Sequence, residues 1–179
     1  MVSYARLRGL YDATRYLVKG GISGEVVECG LARGGSAAMI ALTLQQLGAT
    51  RKLWLFDTFS GLPQPTAADP DFKIANRYAG TCRAGLAEVK SSLEQLGISE
   101  GIELVPGLFQ ETLPRSAVKA IALLHLDGDW YESVKTCLDN LYDRVSLGGV
   151  IQFNDYGHWA GARKEVDEFI APAGLMLPW

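Results

Sequence analysis

The stretch Glu28-Cys-Gly-Leu-Ala-Arg-Gly-Gly-Ser36 decides how this chain folds. A short strand, Glu25–Cys29, leads into it, and an apolar helix from about Gly35 to Leu47 leads out. Glycine lets the backbone turn sharply and approach a ligand, and the helix start offers unpaired amide groups. Upstream, Tyr4, Leu7, Leu10, Tyr11, Ala13, Tyr16 and Leu17 recur at helical spacing, so residues 1–20 read as an N-terminal helix closed by Gly20-Gly21. Downstream, strands are expected at Lys52–Asp57, Ile102–Val105, Ala120–Asp127 and Gly149–Asn154. Helices are expected at Arg83–Leu96, near Phe109–Ala117, at Trp130–Leu141 and at Trp159–Ile170. Apolar strands separated by helices make this an α/β protein with a doubly wound, mostly parallel sheet covered by helices on both faces. Ligands in such sheets collect at the carboxyl ends of the strands.

The 179 residues are 48% hydrophobic and 21% charged, with a formal net charge of −3. That length suits a single domain, 1–179, and the apolar content excludes a disordered chain. Mild acidity argues against a nucleic-acid or anionic-membrane partner. The longest apolar stretches, Ala37–Leu44 and Ile121–Leu124, are too short to span a bilayer, and no apolar signal segment follows Met1. Three cysteines at irregular spacing form neither a disulfide framework nor a zinc site, so a cytoplasmic location is expected. Residues 58–81 hold three prolines and no clear period, and read as an irregular lid or substrate loop.

Polar residues stand out at the strand ends. The turn has Gly30 and then Gly34-Gly35 instead of the Gly-x-Gly-x-x-Gly of a dinucleotide site, and Glu28 ends its strand. An acid is a poor neighbour for phosphate and a good one for a cationic amino-acid group, which S-adenosylmethionine (SAM) carries. A plain strand-to-helix turn is the simpler alternative. Asp57, 27 residues after Gly30, is placed to accept from the ribose hydroxyls of an adenosine-type ligand, or to cap a turn. Leu126-Asp-Gly-Asp-Trp-Tyr131 and Asn154-Asp-Tyr-Gly157 end the next two strands, which would bring Asp127, Asn154 and Asp155 to one rim. Three oxygen donors there suit Mg²⁺ or a similar divalent cation. Alternatively these acids cap the following helices, Asp129 standing in place to cap Trp130–Leu141. His125, inside an apolar strand, reads as a satisfied core histidine, and His158 as a surface or site residue. Cys29 and Cys137 read as buried, and Cys82 lacks a nearby histidine for catalysis. Trp54, Phe56 and Phe59 read as core, whereas Tyr131, Tyr156 and Trp159 flank the acids as pocket candidates.

Val27–Ser36, Leu53-Trp-Leu-Phe-Asp-Thr-Phe-Ser-Gly-Leu-Pro63, Leu126–Ser133 and Asn154–Phe169 together resemble the macrocin O-methyltransferase family, in order, from about Tyr4 to Phe169. The resemblance implies a class I, Rossmann-like, SAM-dependent and Mg²⁺-assisted methyltransferase of sugar hydroxyls in antibiotic biosynthesis. Carried over, it assigns Glu28, Gly30, Gly34 and Ser36 to the SAM pocket and Asp57 to the ribose. Gly107 and Phe109 fall on the adenine side, and Asp127 serves cofactor and metal together with Asn154 and Asp155. Asp129 matches the general base. Two positions depart from the pattern: Asn154 replaces the first of two consecutive aspartates, and Ala32 replaces a tryptophan. The first removes a charge from the cation site, and the second changes the volume beside the turn.

The expected reaction is in-line methyl transfer to a hydroxyl of a sugar or similar small-molecule acceptor. The rival is a non-catalytic SAM or adenosyl binder that has lost the chemistry, a reading that Asn154 keeps open. A nicotinamide-dependent reductase is disfavoured, since Gly-x-Gly-x-x-Gly and a Tyr-x-x-x-Lys pair are both missing. After Ile170 only Ala171–Trp179 remains, enough for one short strand, so the usual C-terminal strand pair is expected to be short or missing. An edge left open in this way invites a homo-oligomer.

Overall fold

A computed structural model describes residues 3–173. Five parallel strands, β1 (Glu25–Cys29), β2 (Leu53–Asp57), β3 (Ile102–Pro106), β4 (Ile121–Leu126) and β5 (Val145–Phe153), form one sheet in the order β3-β2-β1-β4-β5. The helices are α1 (Tyr4–Lys19), α2 (Gly35–Gln46), α3 (Phe72–Ala75), α4 (Leu86–Gln95), α5 (Phe109–Thr112), α6 (Tyr131–Leu141) and α7 (Ala160–Ile170). The expected doubly wound sheet is present. None of the described helices is long and apolar enough to cross a membrane.

Alternation along the strands explains the two layers. Val26, Leu53, Leu55 and Leu123 face a core built with Leu10 and Leu17 of α1, Ile40 and Leu44 of α2, and Val89 and Leu93 of α4. Their neighbours Val27, Phe56 and Leu124 face the other core, with Val134 and Leu138 of α6 and Ala162 and Val166 of α7. Consecutive strand residues point to opposite faces, so a strand buried on both sides must be apolar at every position. Trp54 and Phe56 lie in the second core and Phe59 in the first, as expected.

Several boundaries differ from the sequence reading. Helix α4 starts at Leu86 rather than Arg83, after the extended Gly85. Pro114 lies in a 3₁₀ turn, Leu113–Arg115, so α5 is a single turn and does not reach Ala117. Strand β5 starts at Val145, because Ile121 pairs with Val145 while Leu123 pairs with Val150. The extra residues bulge outward at the Leu147-Gly148-Gly149 tip, where Leu147 is 100% exposed. The 58–81 segment contains the one-turn helix α3. Residues Ala171–Ala173 form a 3₁₀ turn, and the short terminal strand expected beyond them lies outside the described residues.

The strand order reverses at β1, which sends α2 and β2 to one side and has β4 on the other. The carboxyl ends of β1 and β4 therefore flank the crevice where this class of sheet binds its ligands.

Candidate active site

A cavity of about 1200 Å³ opens at that crevice. Single-ligand pockets usually measure about 300–1,000 Å³, so this one has room for two molecules. Its floor is the β1–α2 turn. Gly30 has φ +91°, and a Cβ there would overlap the backbone carbonyl of Asp127, so only glycine lets the ends of β1 and β4 approach so closely. Of the predicted cofactor residues, Gly30, Asp57, Phe109 and Asp127 line the cavity.

Glu28, Gly34, Ser36 and Gly107 are not on its wall. Glu28 is fully buried beneath the turn, where Oε1 accepts from Ser36 Oγ and lies 3.0 Å from His125 Nδ1. The expected contact between this acid and a cationic ligand is thus replaced by an internal brace joining β1, β4 and α2. Burial pulls the His125 pKa down, but the hydrogen bond and charge of Glu28 outweigh it, and the net shift is upward. His125 is only half satisfied, since its Nε2 and Glu28 Oε2 are buried without partners. Asp57 already holds the turn: Oδ2 accepts from Leu31 N at 2.6 Å and Ala32 N at 3.3 Å, and Oδ1 from Phe59 N at 2.7 Å. Thr58 Oγ1 makes a fourth and longest contact, to Oδ1 at 3.5 Å, so a ligand hydroxyl would take the place of that weakest bond.

The acids after β4 and β5 meet on the far wall. One carboxylate oxygen each from Asp127, Asp129 and Asp155 lie within 4.8 Å of one another. Asn154 Nδ2 donates to Asp127 Oδ1 at 2.6 Å, leaving Asn154 Oδ1 buried and unpartnered. Asp129 stands at φ +58°, held by Trp159 Nε1 donating to its Oδ1 at 2.8 Å and by its own N–H donating to Asp155 Oδ2 at 3.2 Å. It does not cap α6, because its carboxylate is turned to Trp159. Burial, with the charge of Asp155, pushes the Asp127 carboxyl up to about 7. Burial, with the charge of Asp127, does the same to Asp129, also to about 7. Burial and Asp129 raise Asp155 to about 6. Crowded acids that resist ionisation together are neutralised well by a hard cation. Three carboxylates and an orphaned amide oxygen fit such an ion, and all four residues line the cavity.

Other candidates divide. Trp159 and the exposed His158 reach the cavity. Tyr131 and Tyr156 do not: their hydroxyls donate to Glu168 and Asp167 of α7. Cys29 and Cys137 are buried as expected and Cys82 is exposed. Sequence reasoning missed Arg6, half-buried on α1, whose charge favours ionised Asp129 and Asp155. It also missed Asp69 and Asp71 in the 58–81 segment. Asp69 Oδ1 accepts from Tyr131 N at 2.8 Å, and Asp71 Oδ2 from Ala160 N at 3.3 Å, so these acids cap α6 and α7.

The family model described as Macrocin-O-methyltransferase (TylF) matches residues 1–178. The chain belongs to this family. It is an O-methyltransferase. The 8-demethyl-8-(2,3-dimethoxy-alpha-L-rhamnosyl)-tetracenomycin-C 4'-O-methyltransferase of Streptomyces olivaceus is 33% identical over 184 residues, an alignment covering 99% of this chain and 70% of that protein. The demethyldecarbamoylnovobiocin O-methyltransferase of Streptomyces niveus is 30% identical over 176 residues, with 96% and 67% covered. Among solved structures, the O-methyltransferase NovP superposes with a TM-score of 0.86 at 29% identity, covering 95% of this chain and 72% of that one. Membership in the family carries the enzyme reading over the non-catalytic one.

Proposed function

We propose that the chain transfers the methyl group of SAM to a hydroxyl of a sugar or similar polyhydroxylated small molecule, assisted by a divalent cation. The observation that carries this reading is the meeting of the glycine turn, Asp57 and the Asp127–Asp129–Asp155 cluster on one cavity large enough for two ligands. The rhamnosyl group in the name of the Streptomyces olivaceus relative supports a polyhydroxylated acceptor here.

The turn at Gly30–Ala32 and Asp57 would hold the cofactor, with Phe109 beside them on the cavity wall. SAM supplies an electrophilic methyl group: the new C–O bond forms as the C–S bond breaks, and S-adenosylhomocysteine leaves. Asp127, Asp155 and the free oxygen of Asn154 would hold a cation, whose charge lowers the pKa of a hydroxyl next to it. Asp129 takes the hydroxyl proton. One of its oxygens is tied to Trp159, which leaves the other for the acceptor, and burial raises its proton affinity above that of an exposed aspartate. Holding oxygen, methyl and sulfur in line supplies much of the remaining acceleration.

Calorimetry with SAM, followed by a methyl-transfer assay on a rhamnosylated acceptor with and without Mg²⁺, tests the reading. SAM binding with transfer that fails in chelator is expected. Binding without transfer on a panel of polyhydroxylated acceptors would leave only an adenosyl binder, and transfer indifferent to chelator would remove the cation.

A further inference from the structure

The structure gives the 58–81 segment a task beyond enclosing an acceptor. Helices α6 and α7 begin immediately after the acidic turns, and neither is capped by its own N-cap side chain, these being Trp130 and Trp159. Each borrows a carboxylate from the segment. Asp69 is 2% exposed, spends Oδ2 on Thr66 N at 2.9 Å and offers Oδ1 to the first amide of α6. Asp71 offers Oδ2 to the first amide of α7.

Further contacts seat the segment at the same place. Trp130 Nε1 donates to Pro63 O at 2.8 Å, Lys164 Nζ to Ala68 O at 3.3 Å, and Tyr78 packs edge-on against Trp159 at 5.1 Å between ring centroids. Helix α7 makes room: a Cβ on Gly161 would overlap Asp69 Oδ1. Two arms then converge on one residue. Asp69 holds Tyr131, which follows Trp130 and Asp129 in the chain. Asp71 holds Ala160, which follows Trp159, the donor to Asp129 Oδ1. Asp129 itself sits in the left-handed region, a conformation that persists only where the surroundings enforce it.

We propose that Asp69, with Asp71 as its second arm, is a positioning residue that fixes the acid cluster from the acceptor-side segment. Docking of that segment is thereby tied to assembly of the groups that act on the acceptor. This rests on the proposed roles of the cluster, and the test keeps the two apart. Neither acid lines the cavity, and each acts through a helix start.

The experiment compares wild type, Asp69→Ala, Asp69→Asn and Gly161→Ala in the full chain. Hydrogen exchange over residues 127–133 reports the turn, and Mn²⁺ titration followed by water-proton relaxation reports the cluster. Asp69→Ala is expected to speed exchange over 127–133 and weaken Mn²⁺ binding about tenfold, the usual effect of losing an outer partner of a metal site. Asp69→Asn keeps an acceptor oxygen for the Tyr131 amide while losing the one for Thr66 N, so it should lie between wild type and Asp69→Ala on both readouts. Gly161→Ala presses on the carboxylate without removing it, and should reproduce the alanine result if Asp69→Ala does not fold. Faster exchange confined to 58–81, with 127–133 and Mn²⁺ binding unchanged, overturns the proposal. So does failure of Asp69→Asn to improve on Asp69→Ala in either readout. If wild type binds no Mn²⁺, the cation reading falls, and exchange over 127–133 alone decides the role of Asp69.

Discussion

Asp129 differs from an ordinary aspartate in backbone, burial and charge at once. Among the described residues, four non-glycines have positive φ, Ala32, Phe59, Cys82 and Asp129, and three of them line the cavity while the fourth follows Thr58, which does. Strain of this kind gathers where geometry has been fixed for function. Asp129→Asn keeps the shape and removes the proposed base, so turnover should fall about 10²- to 10⁴-fold while calorimetric SAM affinity stays within about twofold. Unchanged turnover would remove Asp129 from the chemistry. The raised carboxyls at 127, 129 and 155 also set a pH dependence. Between the unfolded aspartate pKa near 4 and the folded values of about 6–7, the folded state holds more protons than the unfolded one, so stability falls as pH rises. A cation that pairs with the ionised cluster offsets that loss. Mg²⁺ should therefore raise Tm more at pH 8 than at pH 5 in scanning fluorimetry, and an equal gain at both would contradict a cation bound by these acids.

At the scale of elements, the turn after β1 is the least replaceable. Gly30→Ala imposes an unfavourable left-handed alanine and drives a methyl into the Asp127 carbonyl, so urea unfolding should register a loss of at least about 2 kcal/mol. A smaller loss would mean that the ends of β1 and β4 can move apart. Most elements were legible in the sequence because strands buried on both faces leave continuous apolar runs, as at Leu53–Phe56 and Ile121–Leu124. The acids at strand ends were legible for the same reason, since polar groups there break those runs. The start of β5 was not, because its bulge interrupts pairing and the Leu147-Gly148-Gly149 stretch reads as a turn. The inward bend of Glu28 was hidden as well: an acid ending a strand looks alike whether it faces a ligand or a buried histidine. Nor could Asp69 be found as a cap, since its partner Tyr131 lies 62 positions away and capping signals are local.

Across the molecule, the sheet separates two cores, and the cavity opens at the strand ends between them. Helix α1 serves both roles: Leu10 and Leu17 enter one core while Arg6 and Leu7 wall the cavity. Leu10→Ala should cost about 2–5 kcal/mol in urea unfolding, with SAM affinity falling as the helix loosens. A stable variant with weakened binding would place α1 outside the core. At the opposite edge, β5 pairs only with β4 among the described residues, and the Leu147 bulge stands out from it. The carboxylates that tie residues 66–71 to α6 and α7 also divide the 58–81 segment into two spans, one on either side of a rivet. Exchange of loops between relatives, the obvious route to a new acceptor range, then has a boundary condition. Exposed positions of 58–65 and 72–81 can be varied around the contacts made by Phe59, Pro63 and Tyr78, whereas a graft that discards both Asp69 and Asp71 strips the caps from two helices beside the acid cluster.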